Sequence, residues 1–85
     1  MKKPDLAGLA AFVAIARERS FRRAAATLGV TPPTLSHTLR ELETQLGIRL
    51  LNRTTRNVSP TEAGEHLLAH LDPAFEDIAA ALDSL

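Results

Sequence analysis

The chain contains no cysteine. Disulfides, thiolate zinc sites and cysteine nucleophiles are excluded together. It has no tryptophan, no tyrosine and three phenylalanines, so the aromatic platforms on which single-strand binders stack bases are poorly supplied. Long apolar runs are missing as well. The longest apolar run, Leu6 to Ala16, has eleven residues, against the roughly 20 needed to span a bilayer. The start imitates a secretory signal, with Lys2-Lys3, an apolar stretch and Ala14-Ile15-Ala16 resembling a cleavage box. However, Asp5 interrupts the entry, and the apolar core is short and alanine-rich. Leu6, Leu9, Phe12, Val13 and Ala16 also share one broad helical face, so a globular helix is expected there and a cytoplasmic protein with it. Net charge is absent too, with ten Lys and Arg offsetting ten Asp and Glu.

What is present is one small domain of 85 residues with a thin core. Its 45% hydrophobic content is too high for a disordered tail. The charge is segregated. Residues 1–60 hold all ten basic side chains and only Asp5, Glu18, Glu41 and Glu43 as acids, a surplus of six positive charges. Residues 61–85 hold six acids and no Lys or Arg, a deficit of the same size. Asymmetry of this kind points to nucleic acid or membrane surfaces.

The periodicity predicts a mainly α chain. Helix 1 covers residues 5–18. Ser20 caps helix 2, residues 21–28, whose inner face is Phe21, Ala24, Ala25 and Leu28. Gly29 ends it in a left-handed conformation, and Val30 is expected to plug the tight turn. Thr31 caps helix 3 with Pro32 at its first position, and Leu35, Leu39, Leu42 and Leu46 form the buried stripe until Gly47. Residues 48–59 change period and predict a two-stranded hairpin. Its apolar pieces are Ile48, Leu50 and Leu51 on one side and residues 57–59 on the other, with 52–56 at the tip. Ser59 or Thr61 then caps helix 4. Leu68, Leu71, Phe75, Ile78, Leu82 and Leu85 are spaced 3, 4, 3, 4 and 3 along it, a heptad seam suited to pairing two chains. Pro73 interrupts the helix, and a kink is favoured over a new start because the seam keeps its register.

Helix, glycine turn, helix and hairpin is the order of a winged helix-turn-helix. Small alanines at 24–26 let two helices approach closely. Helix 3 then presents a short, mostly uncharged first stretch. Thr31, Pro32, Pro33, Thr34, Ser36 and His37 are the candidate contacts to base edges in a major groove. Candidate phosphate contacts are Ser20, Arg22 and Arg23 at helix 2, Arg40 on helix 3, and Arg53, Thr54 and Arg56 on the wing. Leu68, Leu71, Phe75, Ile78 and Leu82 are the candidate dimer contacts. These divide the chain into a DNA-binding domain, 1–60, and a linker or dimerisation helix, 61–85, kinked near Pro73.

The stretch from Leu9 to Leu68 strongly resembles the DNA-binding domain of LysR-type transcriptional regulators, and the likeness covers nearly the whole chain. Its most specific elements are Ser20-Phe21, Ala24-Ala25, Pro33, Ser36, Leu42-Glu43, Leu46-Gly47, Leu50-Leu51, Arg53 and Thr61-Glu62-Ala63-Gly64. The resemblance implies a bacterial regulator that binds duplex DNA at an interrupted palindrome. It implies a homodimer through helix 4, with a tetramer open to the full-length protein. It implies no membrane and no cofactor, and a small-molecule effector only in a further domain of about 200 residues that this chain lacks. Two positions depart from the common pattern: Pro32 stands where the family often has Gln, and His37 where it often has Arg. Base preference is expected to differ accordingly.

Two other classes compete. The heptad seam suits a protein-binding module equally well. A metal protein or enzyme would use Glu62, His66 and His70, spaced four apart on one helix face. Nothing completes such a site: there is no HExxH, no glycine-rich phosphate loop and no Ser–His–Asp set. No catalytic or metal residue is therefore expected.

Overall fold

A computed structural model of the chain describes residues 5–54 and 57–85. The element order is α1 (Leu6–Glu18), α2 (Phe21–Leu28), α3 (Pro32–Leu46), β1 (Leu51–Arg53), β2 (Val58–Pro60) and α4 (Glu62–Asp83). Each helix begins on a side chain that accepts a backbone N–H three residues on. Asp5 takes Gly8, Ser20 takes Arg23, Thr31 takes Thr34 and Thr61 takes Gly64, at 3.0–3.3 Å. Asp5 is therefore the cap of α1 rather than its first turn. Left-handed residues end the first three helices: Arg19 at φ 54°, Gly29 at 72° and Gly47 at 71°.

One core joins the three leading helices to the wing. Phe12 and Ile15 of α1, Ala24 and Ala25 of α2, Leu35, Leu39 and Leu42 of α3, and Leu50 and Leu51 at the wing are all buried. Alanines at 24 and 25 are needed because α1 and α3 both press on that face of α2. The strands are antiparallel, with Leu51 opposite Pro60, Asn52 opposite Ser59 and Arg53 opposite Val58. Leu50 and Leu51 are thus buried as expected, but Ile48 lies outside the strand and is half exposed. It sits directly after Gly47, where Ile48 N–H bonds the Glu43 carbonyl to close α3. The second strand is 58–60 rather than 57–59, because Asn57 belongs to the tip turn.

Three further expectations are corrected. Val30 does not plug the turn; it is 40% exposed, and its contribution is a backbone bond to the Ala25 carbonyl. Leu28 leaves the inner face of α2 after one turn and is also 40% exposed, lining an open apolar groove with Ala10, Val13, Ala14 and Phe75. Leu6 lies at the helix start, beyond the reach of the core, and is exposed.

α4 runs unbroken through Pro73, so Asp72 does not cap a new helix there. Its heptad seam divides. Leu68, Leu71 and Phe75 pack partly buried against the chain's own core. Ile78 and Leu82 are 48% and 65% exposed, and Leu85 is fully exposed. The first half of the seam is used within the chain because α4 crosses α1 there. Arg17 of α1 pairs with Asp72 and approaches Glu76 at 4.0 Å, fixing the crossing. Among the described residues, no helix is long and apolar enough to cross a membrane.

Candidate nucleic-acid interface

The turn between α2 and α3 sets the geometry. Gly29 N–H bonds Ala26 and Val30 N–H bonds Ala25, so the chain reverses within three residues and α3 starts at once. Pro32 costs nothing at the first helical position, since its missing N–H had no helical partner. Thr31, Pro32, Pro33, Thr34 and His37 are all exposed, and Ser36 is half-buried. Leu35 and Leu39 anchor the opposite face in the core. The predicted base-reading residues therefore share one accessible end of one rigid helix.

Internal bonds already engage some of these groups. Thr31 Oγ1 donates to Thr34 Oγ1 at 2.8 Å, joining the two hydroxyls. Thr38 Oγ1 donates to the Thr34 carbonyl. His37 Nε2 lies 2.8 Å from Glu41 Oε1, one turn along the same helix.

The wing is held by contacts of three residues, Glu43, Thr61 and Arg53, that a reading along the chain does not reveal. Glu43 Oε2 accepts Leu50 N–H at 2.7 Å and Leu51 N–H at 3.2 Å, so a side chain of α3 organises the entry to β1. Thr61 Oγ1 donates to the Arg49 carbonyl at 2.7 Å, and Thr61 N–H bonds the Leu50 carbonyl at 2.9 Å. The Arg53 guanidinium lies over the Phe21 ring, 4.1 Å from its centroid. That stacking brings the wing beside the start of α2, where Ser20, Arg22 and Arg23 stand. The signal for Glu43 was its neighbour: Leu42-Glu43 puts a carboxylate at the edge of the buried stripe, where it must find donors. For Phe21, one of only three aromatics, the signal was its place at the head of a helix carrying arginines.

The remaining predicted contacts are more dispersed. Arg40 is exposed on α3, one turn beyond Ser36. Thr54 closes the wing tip: its hydroxyl donates to the Asn57 carbonyl and accepts Asn57 N–H, at 3.2 and 2.9 Å. Its observed role is to shape the turn. Arg56 lies outside the described residues. Arg23 Nη2 donates to the Glu18 carbonyl at 3.2 Å, which ties its stem to the end of α1. The predicted dimer contacts Leu68, Leu71 and Phe75 face the chain's own body, while Ile78 and Leu82 do not.

Glu62, His66 and His70 make no evident metal centre. The two imidazoles meet edge to face with centroids 5.4 Å apart. Among the described residues, no group of three or more His, Cys, Asp or Glu is disposed to hold a metal ion.

Comparison with known proteins agrees with this geometry. The family model described as "Bacterial regulatory helix-turn-helix protein, lysR family" matches residues 6–65. The HTH-type transcriptional regulator PgrR of Escherichia coli K12 is 55% identical over all 85 residues, which span 28% of its own length. OxyR structures from Corynebacterium glutamicum superpose well. The H2O2-bound OxyR C206S mutant gives a TM-score of 0.86 at 41% identity, covering 95% of this chain and 25% of that one. The BenM_DBD/catB site 1 DNA complex gives 0.83 at 32% identity, covering 94% and 89%. The chain thus spans about a quarter of its curated relative PgrR but nearly the whole of the BenM DNA-binding fragment. The chain belongs to the LysR family of bacterial regulatory proteins and is a winged helix-turn-helix DNA-binding domain of that family.

Proposed function

We propose that the chain binds duplex DNA at specific promoter sequences in the bacterial cytoplasm, as a homodimer on an interrupted palindrome, and that it has no catalytic role. Helix α3 enters the major groove. Pro32 and Pro33 make apolar contact there, and Thr31, Thr34, Ser36 and His37 meet base edges. Ser20, Arg22, Arg23, Arg40 and Arg53 hold the phosphates on either side, with Thr54 and Arg56 at the wing tip. The observation that carries this reading is the Arg53 guanidinium stacked over Phe21, which sets the wing against the first residue of the arginine-bearing helix α2, beside the exposed start of α3 with Thr31, Pro32, Pro33 and Thr34. Dimerisation uses the exposed second half of α4. A tetramer and an effector response belong to the longer proteins in which such domains occur.

The test is a duplex titration at several salt concentrations. Affinity should fall with a slope of about −0.9 per phosphate neutralised. Arg53→Ala should weaken all duplexes alike and flatten that slope by about one. Absence of duplex binding at low salt would refute the reading, leaving the exposed α4 seam to a protein partner instead.

A further inference from the structure

We propose that Glu41 determines base preference in the major groove, selecting cytosine and rejecting guanine where the His37–Glu41 pair meets the DNA. The proposal rests on α3 being the reading helix.

His37 and Glu41 lie one turn apart on the side of α3 away from Leu35, Leu39 and Leu42. Both side chains are about two-thirds exposed, at 66% and 63%, and His37 Nε2 stands 2.8 Å from Glu41 Oε1. A carboxylate only accepts, so the imidazole donates. Nε2 is the ring nitrogen farthest from the backbone, the one with the longest reach. Its single hydrogen is already taken. What the pair offers outward is the remaining lone pairs of the Glu41 carboxylate, an acceptor surface.

The major groove distinguishes bases by just this property. Guanine shows two acceptors, O6 and N7, and both would face the carboxylate unpaired. Cytosine shows the N4 amino group, a donor, which a carboxylate accepts. Adenine N6 also donates, but the neighbouring N7 acceptor is repelled by the same oxygen atoms. Cytosine therefore ranks first. His37 is a positioning residue in this scheme. It holds the carboxylate along the helix surface against the outward push of the phosphates, and so keeps an acid at an interface where an unrestrained one would turn away.

Selection of bound duplexes from a random pool tests the proposal, using the whole chain, Glu41→Gln, His37→Ala, the double variant and Ser36→Ala. His37 and Glu41 are exposed and Ser36 is half-buried, so thermal unfolding of the His37 and Glu41 variants should be unchanged and that of Ser36→Ala is measured beside them. The parent chain should enrich cytosine over guanine about tenfold in one column of each half-site. Glu41→Gln, whose amide also donates, should admit guanine in that column and leave the others intact. His37→Ala should weaken the same column, besides any column that His37 itself meets, and in the Glu41 column the double variant should go no further than Glu41→Gln, a coupling that a purely structural histidine would not produce. A column unchanged in Glu41→Gln, or one enriched in guanine in the parent, overturns the proposal, and loss of the site in Ser36→Ala would then still support the reading helix. A parent chain that enriches no sequence overturns both.

Discussion

Gly64 is the position where a single added methyl group has the least room. A Cβ there would overlap the Leu50 carbonyl oxygen and press on Pro60 Cβ at 3.3 Å. The obstacle is backbone that also carries the bond from Thr61, so it cannot give way cheaply. Gly64→Ala should therefore lower stability by about 1–3 kcal/mol or more, even though alanine gains roughly 1 kcal/mol of helix propensity. Thermal unfolding followed by circular dichroism checks this, at about 4–8 °C per kcal/mol for a domain of this size. Thr61-Glu62-Ala63-Gly64 is visible in the sequence as a helix start. The need for glycine at its fourth position is not, because the atoms it must avoid belong to Leu50, fourteen residues earlier. Arg53 on Phe21 and Glu43 on Leu50 and Leu51 are hidden for the same reason. Local chemistry shows that Arg53 is basic and Glu43 polar, and only the fold says what each one touches.

Helix boundaries were far more legible, because caps act within four residues. Ser20, Gly29, Thr31 and Gly47 stand where their side chains or backbone freedom predict. The long helix α4 shows where such reading stops. Heptad spacing says which residues share a face, but not what covers them. The Arg17–Asp72 pair lays the first half of that face on α1, and Leu68, Leu71 and Phe75 are half-buried without any second chain. Of the five expected dimer contacts, Ile78 and Leu82 remain exposed. Burying one such side chain fully is worth roughly 1.5–3 kcal/mol, so these two matter strongly to a small interface. Leu82→Asp should abolish the dimer in light scattering and leave unfolding of the single chain unchanged. Phe75→Asp is the poorer probe, since it would also disturb the body. A dimer mass that persists in Leu82→Asp places the pairing surface elsewhere.

At the scale of the whole molecule, the zero net charge conceals a basic body and an acidic helix, and the fold couples them. Arg17 is committed to Asp72 and Glu76, so it is withdrawn from the positive charge available to DNA. Of the other α4 acids, Glu62 and Glu65 stand in its first turn, while Asp77 and Asp83 lie in its second half, where phosphate would repel them and favour holding that end clear of the duplex. That orientation is an expectation from the charge distribution; the bonds that join the wing to α4 are not visible there.

Those bonds have a consequence for measurement. Thr61 joins the Arg49 and Leu50 carbonyls, and Gly64 lies flush against Leu50. The body is thus tied to the start of α4 through both the backbone and the side chain of Thr61. Two copies joined along that helix would hold their reading helices like the fixed jaws of a caliper. Such a dimer gauges length along the DNA as strictly as it reads letters. Adding five base pairs between half-sites, about half a helical turn, should abolish tight binding, and adding a full turn should restore it only as far as the DNA can bend to fit the jaws. Gel-shift titration of such spacer variants would show it, and equal affinity at every spacing would mean that the joint is loose after all.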